Sequence, residues 1–315
     1  MTGIGRHIKS LWPRSPLLPI APYWLWVILS LYLGALRWEH LAIAIAATAL
    51  AYLDARTKRW FVALIPLSAV ALSYDGMRFV KNLGLTASNV HVCDLRLVEL
   101  RWFGVGSGGA RMTLQDWFQT HASLPLDLIC ALPYGLYLYI VIGYALYLIG
   151  RDLSAQQRFA WGFFLLNLAG FATYHLYPAA PPWYFHRYGC SVDLSALPSP
   201  GPSLTRVDAL LGVPYFHSFY ARSSDVFGAV PSLHVAYPLL MIVEGWRLHG
   251  RVGRGLLGLF YAWMCFAATY LDHHWVVDIV VGSAYALAVG CVMRRAIRVL
   301  VPDRARAKMP AGATE

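Results

Sequence analysis

Two short stretches of this chain carry residue types that could transfer a phosphoryl group. The first is GAVPSLH at residues 228–234, and the second is HWVVD at residues 274–278. A Pro followed by Ser is typical of the first turn of a helix, where Pro is tolerated because its missing amide would be unpaired anyway. The free amides and the dipole of that turn favour a bound phosphate. On a helix, His274 and Asp278 would share one face and could hydrogen-bond. Two histidines, a carboxylate and an anion-binding helix start together indicate a phosphoryl-transfer site.

The residue types suggest a role for each group. We predict that His274, held by Asp278, is the nucleophile that attacks phosphorus and forms a phosphohistidine. His234 would protonate the departing alkoxide and then deprotonate the incoming hydroxyl. Ser232 and the amides around Gly228 would bind the phosphate oxygens. Four basic residues elsewhere are further candidates for contacting the phosphate, namely Arg78, Lys81, Arg206 and Arg222.

Each of these assignments has an alternative. Arg78 and Lys81 lie at the end of an apolar run, where basic side chains often only snorkel to the interface. A lone interfacial His is usually a satisfied polar residue, but two of them that begin apolar runs on the same side favour catalysis. His and Asp also bind zinc, although the chain has neither a Cys-x-x-Cys pair nor an H-E-x-x-H pattern. Asp272 and His273 are expected to point elsewhere on the helix and to be structural.

The composition predicts an all-α, polytopic membrane helix bundle. The chain has 315 residues, of which 58% are hydrophobic and only 13% are charged, too few to solvate a globule of this size. The first apolar run is expected to be an uncleaved span, since no A-x-A site follows it. Eight candidate spans cover residues 20–37, 40–54, 60–77, 125–149, 158–177, 231–248, 255–271 and 275–293. The second is short, so seven or eight spans are expected.

These spans suggest three parts. Residues 1–58 would form a cytoplasmic lead-in with two accessory spans, residues 59–300 a six-span catalytic core, and residues 301–315 a basic cytoplasmic tail. Within the core, the loops at 78–124 and 178–230 are long. Connections of such length are usually functional or disordered, and the Pro, Gly and aromatic content of the second loop predicts an ordered cap over the site.

Basic residues orient this bundle in the bilayer. By the positive-inside rule, the side that carries most of them is cytoplasmic. With eight spans, that side holds both termini, and the two histidines then lie on the periplasmic or luminal side. The net charge of +10 follows mostly from this bias, so no nucleic acid partner is needed. The cytoplasmic basic residues are Arg6, Lys9, Arg14, Arg56, Lys58, Arg59, Arg151, Arg158, Arg247, Arg251, Arg254, Arg294, Arg295, Arg298, Arg304, Arg306 and Lys308.

The first long loop carries three further local signals. Its glycine-rich stretch at 104–109 lacks the Lys-Ser/Thr of a nucleotide-binding loop and is predicted to be a flexible linker. Residues 112–121 are predicted to form a short interfacial helix. Cys93 in this loop and Cys190 in the second loop would lie on the same outer face, where the two cysteines could form a disulfide.

At its two motifs the chain resembles the type 2 phosphatidic acid phosphatase superfamily. The P-S-x-H element of that family matches residues 231–234, and its H-x-x-x-D element matches residues 274–278. Within the superfamily, the chain is most similar to the fungal inositol phosphorylceramide synthase branch. The strings that carry this similarity are YPAAPPWY (177–184), PSPGPSLTRVD (198–208), FGAVPSLH (227–234) and YLDHHWVVDIVVG (270–282).

The resemblance implies a reaction. Phosphoinositol would pass from a phosphatidylinositol-like donor to the hydroxyl of a ceramide-like acceptor in the lipid bilayer, and diacylglycerol would leave, without a metal or cofactor. The chain departs from the family at two points: Ala267 and Ala268 stand where a Ser-Arg pair is usual, and the K-x₆-R-P element is missing. Fewer cations suit a diester with one negative charge better than a monoester. The alternatives are a lipid phosphate or pyrophosphate phosphatase of the same fold and, in another class, a transporter of anionic solutes.

Overall fold

The computed structural model describes residues 3–107, 111–223 and 225–300. The predicted tail at 301–315 and part of the glycine-rich stretch lie outside these residues. The described chain forms fourteen helices and three isolated β-bridges. The helices are α1 Gly3–Leu11, α2 Ala21–Tyr32, α3 Trp38–Tyr52, α4 Ala55–Val80, α5 Cys93–Phe103, α6 Leu114–Thr120, α7 Leu124–Arg151, α8 Leu153–Leu176, α9 Pro182–Tyr188, α10 Gly201–Leu211, α11 Tyr215–Tyr220, α12 Leu233–Gly245, α13 Arg251–Tyr270 and α14 Val276–Leu300.

Each of the eight predicted spans coincides with a helix. Among the residues that the structure describes, four helical segments are long and apolar enough to cross a bilayer, namely α4, α7, α13 and residues 276–296 of α14. Helices α2 and α12 are apolar but shorter, with 12 and 13 residues. The all-helical membrane architecture therefore agrees with the sequence analysis, whereas the number of eight spans stays a prediction.

The main core lies where α4, α7, α8, α12 and α14 meet. Fully buried side chains such as Leu148, Phe159 and Leu240 fill it, and in a bilayer they hold the helices together by van der Waals packing, because lipid tails are as apolar as these side chains. Helices α8 and α12 approach closely at Gly170, where a Cβ atom would come within 2.9 Å of the Leu233 side chain. This close contact fixes the position of the first turn of α12 against α8, and that turn carries His234, one of the two predicted catalytic histidines.

Helices α2 and α3 pack against α4 around a separate cluster that includes Val27, Ala44 and Phe61. At one end of this cluster, Asp75 of α4 accepts hydrogen bonds from Arg78 at 3.0 Å and Trp26 at 3.1 Å. His40 of α3 contacts the same carboxylate at 3.0 Å. The contacts from Trp26 and His40 tie α2 and α3 to α4.

Five short helices, α5, α6, α9, α10 and α11, lie in the two long loops. We call residues 81–123 and 177–232 together the loop layer. The helix predicted at 112–121 is present as α6, while its interfacial location stays a prediction; α5 in the same loop was not predicted. Its charged residues are spread round the helix without a helical period, so the pattern had favoured a loop. A disulfide between Cys93 and Cys190 joins the two halves of the loop layer. The possibility left open by the cysteines is therefore realised in the structure.

Candidate active site

His274 lies in the turn that joins α13 to α14. The Ala268 carbonyl accepts hydrogen bonds from the amides of His273 at 3.2 Å and His274 at 3.0 Å. Asp272 adopts a φ of 68°, a left-handed conformation that Asp tolerates better than most residues. Ala267 and Ala268, which replace the usual Ser-Arg pair, are fully buried behind the turn. Their small side chains let the turn fold back against the end of α13.

Two acceptors set the tautomer of His274. Its Nδ1 atom lies 3.1 Å from the Ala229 carbonyl oxygen and 3.4 Å from Oδ2 of Asp278. Because a carbonyl can only accept, Nδ1 must carry the proton, and Nε2 keeps its lone pair. Burial lowers the pKa of His274 to about 4, and the hydrogen bond to the Ala229 carbonyl opposes this shift. The imidazole is therefore neutral at pH 7 and suited to act as a nucleophile through Nε2.

The contact between His274 and Asp278 does not arise as the sequence analysis expected. His274 precedes α14, so His274 and Asp278 do not share a helical face. Asp272 and His273 also precede α14, so they do not point from that helix either. Asp278 is the third residue of α14, and its Oδ2 accepts the amide of Trp275 at 2.9 Å. This is half of a capping box, in which a side chain in the first turn reaches back to the residue before the helix. The carboxylate thus holds the turn and the imidazole together.

His234 meets His274 from the neighbouring helix. Its Nδ1 atom lies 3.2 Å from Nε2 of His274. Helix α12 begins at Leu233, two residues later than the Pro-Ser pair predicted, and Ser232 precedes its first turn. The His234 ring stacks on Tyr134 of α7, with ring centroids 4.7 Å apart, and meets Tyr137 edge-on. The Ser232 amide donates to the Asp278 carbonyl at 3.0 Å, which joins the two predicted motifs directly.

Gly228 and Ala229 are placed by backbone hydrogen bonds to a second segment at Ala179. The amide of Ala179 donates to the carbonyl of Phe227 at 2.7 Å, and the amide of Ala229 donates to the carbonyl of Ala179 at 3.1 Å. Gly228 packs so closely on Tyr174 that a Cβ atom would lie 3.2 Å from its ring. The predicted phosphate-binding glycine is therefore needed for close packing, and the packing places the Ala229 carbonyl against His274.

Several buried polar atoms around the two histidines have no hydrogen-bond partner within the described residues. They are Ser232 Oγ, Asp278 Oδ1, Tyr134 Oη and Tyr220 Oη. Ser232 and Asp278 are fully buried. Since buried polar groups are nearly always paired, these atoms fit a site whose remaining partners belong to a substrate.

The predicted phosphate-contacting arginines have carboxylate partners instead. Besides Arg78 with Asp75, Arg206 of α10 forms a bidentate pair with the buried Asp127 at 2.7 and 3.0 Å. Arg222 lies 3.5 Å from Glu39. Lys81 is near Asp225, where burial raises the pKa of the carboxyl and the charge of Lys81 opposes that rise. None of these contacts brings a cation to the histidine pair, and a phosphate role for the four residues stays a prediction.

Two residues of the site were missed by the sequence analysis. Glu99 of α5 accepts the amides of Val276 at 2.9 Å and Val277 at 3.1 Å. Gln115 of α6 donates to the His274 carbonyl at 3.0 Å. Both side chains are fully buried. They are more than 150 residues from their partners in the chain, so no local pattern could have revealed them.

A second missed cluster surrounds Asp272, which had been expected to be structural. His186 of α9 contacts Asp272 through Nδ1 at 2.7 Å and Asp116 through Nε2 at 2.8 Å. Arg96 of α5 forms a bidentate pair with the same Asp116 at 2.7 and 2.9 Å. The turn that carries His274 is therefore fastened to three helices of the loop layer.

An all-helical membrane bundle with a His-His-Asp site beside a helix start matches one known family. The PAP2 superfamily profile matches residues 108–292, which is more than half of the chain, and the chain belongs to this superfamily. The resemblance drawn from the two motifs is thereby confirmed.

Curated relatives narrow the comparison. The phosphoinositol dihydroceramide synthase of Bacteroides thetaiotaomicron is 33% identical over 267 residues, which cover 84% of this chain and 86% of that protein. The inositol phosphorylceramide synthase of Candida albicans is 33% identical over 168 residues, 52% of this chain and 35% of that protein. The catalytic subunit of the Schizosaccharomyces pombe enzyme is 30% identical over 165 residues, 51% of this chain and 39% of that protein. This chain thus spans less than half the length of the two fungal relatives. No solved structure matches it at a significant level.

Proposed function

We propose that the chain is a membrane phosphotransferase that moves phosphoinositol from a phosphatidylinositol-like lipid to the hydroxyl of a ceramide-like lipid. The names of its relatives, a phosphoinositol dihydroceramide synthase and inositol phosphorylceramide synthases, support this substrate class. The observation that carries the proposal is the 3.2 Å contact between His234 Nδ1 and His274 Nε2, with Asp278 behind the second imidazole.

The first half of the reaction forms a covalent intermediate. Nε2 of His274 attacks the phosphorus of the donor lipid, a P–N bond forms, and the bond between phosphorus and the diacylglycerol oxygen breaks. His234 enters this step as the imidazolium, gives one proton to that oxygen and becomes neutral, and diacylglycerol leaves. Asp278 and the Ala229 carbonyl hold Nδ1–H of His274 and stabilise the positive charge that develops on the ring.

The second half reverses these roles. His234 takes the proton of the ceramide hydroxyl, its oxygen attacks phosphorus, and the P–N bond breaks to return His274 to its neutral form. A near-attack arrangement needs about 3–3.5 Å between the attacking nitrogen and phosphorus. His234 Nδ1 and His274 Nε2 are already 3.2 Å apart, so the substrate must separate these two nitrogens when it binds. The contact is that of the free enzyme.

The phosphodiester is proposed to bind at the start of α12. Ser232 Oγ is buried and has no partner within the described residues, and the first amides of a helix favour an anion. Ala267 and Ala268 remove the arginine that the family usually offers, which suits a diester with one negative charge rather than a phosphate monoester.

We further propose that the site faces the periplasm or lumen, below the loop layer as an ordered cap, with both termini cytoplasmic. The basic residues of the opposite side support this orientation, and so does the Cys93–Cys190 disulfide, because disulfides persist in oxidising compartments. The eight-span topology and the division into residues 1–58 and a six-span core at 59–300 belong to the same proposal. The separate cluster of α2 and α3 against α4 agrees with it.

The decisive experiment measures headgroup transfer by the purified protein. Phosphatidylinositol labelled in the inositol ring is supplied with and without ceramide, in parallel with phosphatidic acid. We expect labelled inositol phosphorylceramide and, beyond the one equivalent of diacylglycerol that each enzyme releases when the intermediate forms, an equal amount of diacylglycerol, both dependent on ceramide. His274→Ala should abolish transfer. His249→Ala should not, because the His249 imidazole lies away from the site, where its Nε2 is 3.0 Å from Tyr144 Oη. Headgroup release that ignores ceramide, with phosphatidic acid as the better substrate, would instead identify a phosphatase.

A further inference from the structure

The first turn of α14 takes its hydrogen bonds from a distant part of the chain. A helix leaves its first amides without partners inside the helix. Here the amide of Trp275 is bound by Asp278, whereas those of Val276 and Val277 are bound by the two oxygens of Glu99 at 2.9 and 3.1 Å. Glu99 lies outside residues 108–292, which match the family profile.

Gln115 completes this arrangement from α6. Its Nε2 donates to the His274 carbonyl at 3.0 Å and to Oε1 of Glu99 at 3.3 Å. Glu99 therefore accepts three N–H bonds; burial raises the pKa of its carboxyl, and these three bonds oppose that rise. The side chain and the backbone of His274 are thus held from two directions, by Asp278 and Ala229 on one and by Gln115 on the other.

Helices α5 and α6 are joined into one support. Arg96, one turn before Glu99, makes its bidentate pair with Asp116, the residue after Gln115. The disulfide of Cys93 anchors the start of α5 to the second half of the loop layer. Since both ends of this support are fixed, Glu99 and Gln115 can define where the turn before α14 lies.

We propose that Glu99 and Gln115 are positioning residues for His274. The inference rests on the proposed role of His274 as the nucleophile. Neither side chain reaches the reacting atoms; they act by fixing the backbone from His274 to Val277, which in turn aligns Nδ1 with Ala229 and Asp278 and aims Nε2. Without Glu99, two half-buried amides lose their partners and the turn must move to find others. A shift of about 1 Å in a nucleophile can lower the rate about 100-fold.

Single-turnover kinetics separate positioning from folding. Labelled phosphatidylinositol is mixed with an excess of purified enzyme, and the acid-labile phosphohistidine is followed over time. A variant that only misfolds loses amplitude but keeps its rate constant, whereas a misplaced nucleophile has a lower rate constant. We expect Glu99→Ala to lower the rate constant about 100-fold. Glu99→Gln, which keeps one acceptor oxygen, and Gln115→Ala, which removes one bond to His274, should each lower it about 10-fold.

Glu244→Gln is the matched control. Glu244 is also a buried carboxylate, but it pairs with Arg158 at 3.2 Å, away from the histidines. Its rate constant should equal that of the wild type even if its amplitude falls. Unchanged rate constants in both Glu99 variants would overturn the positioning role while leaving the proposed function intact. A wild-type enzyme that transfers the headgroup without any phosphohistidine would overturn both.

Discussion

The two histidines of the site are held by two different parts of the molecule. His234 belongs to the membrane bundle: it is the second residue of α12, and its ring stacks on Tyr134 and meets Tyr137 edge-on. His274 belongs to a turn whose contacts are polar and come largely from the loop layer, through Ala229, Gln115 and Glu99. One imidazole is placed by apolar packing, and the other is placed by hydrogen bonds across the chain.

This difference suits the two chemical roles. A general acid and base must move its proton first to the diacylglycerol oxygen and later from the acceptor hydroxyl, so stacking, which leaves ring nitrogens free, is enough to hold it. A nucleophile must keep one tautomer and one direction of attack, and only directed hydrogen bonds supply both. The bundle therefore positions the residue that transfers protons, His234, and the loop layer fixes the tautomer and the direction of attack of His274.

The largest effect should come from replacing either histidine with Asn, and the leaving group should tell the two variants apart. With phosphatidylinositol, both His234→Asn and His274→Asn should lose at least 100-fold in kcat/KM, within the range of general acid–base contributions. With a nitrophenyl phosphodiester of inositol, whose leaving group needs no proton, His234→Asn should still form the phosphohistidine. His274→Asn should not form it. Release of nitrophenol in the first seconds measures this step.

The contrary result is equally clear. If His234→Asn failed with the activated diester while His274→Asn released nitrophenol, the two roles would be reversed. With the activated diester, Asp278→Asn should form the phosphohistidine more slowly than His234→Asn does, whereas His274→Asn should not form it at all. The intermediate still forms in Asp278→Asn because the Ala229 carbonyl continues to hold Nδ1–H of His274.

The same contrast explains which parts of the site could be predicted from the sequence. The positions of the long helices follow from apolar runs, and the two motifs mark where α12 and α14 begin, so His234, His274 and Asp278 could be found. The capping geometry of Asp278 could not, because it depends on where the helix starts to within one residue. Glu99, Gln115 and His186 reach the turn from remote helices, and a polar contact between residues so far apart leaves no periodic trace in a single sequence. The arginines were predicted from charge alone, and the structure shows the carboxylates that occupy three of them.

A smaller effect should follow from removing the stacking partner of His234. An aromatic pair contributes about 0.5–1.5 kcal/mol beyond its buried area, so Tyr134→Leu should lower kcat with phosphatidylinositol by about 10-fold at most. Tyr134→Phe keeps the ring and should lose less. With the activated diester, the defect of Tyr134→Leu should disappear, since His234 is not needed in that step, whereas the defect of Glu99→Ala should persist. A Tyr134→Leu defect of equal size with both donors would show that the ring also places His274.

The smallest effect expected concerns stability at alkaline pH and tests whether the loop layer holds the turn by charge. Both ring nitrogens of His186 face carboxylates, those of Asp272 and Asp116. A neutral imidazole has only one N–H, so this arrangement requires the imidazolium. Burial alone would lower the pKa of His186, but the hydrogen bonds to Asp116 and Asp272 outweigh it and raise the pKa to about 9. Because the folded pKa exceeds the unfolded value of about 6.5, the stabilisation is complete below pH 6.5 and is lost as the pH rises through 9.

The midpoint temperature of thermal unfolding, measured in detergent, should therefore decrease in the wild type when the pH is raised from 7 to 10. In His186→Gln the midpoint temperature should be lower at pH 7 and should decrease less over the same range. His121→Gln is the control, because His121 also lies in the loop layer but has no such carboxylates among its hydrogen-bond partners. Its midpoint temperature should follow that of the wild type. Equal slopes in all three proteins would mean that the turn before α14 is held by the contacts of Glu99, Gln115 and Ala229 with residues 274–277, and not by the imidazolium of His186.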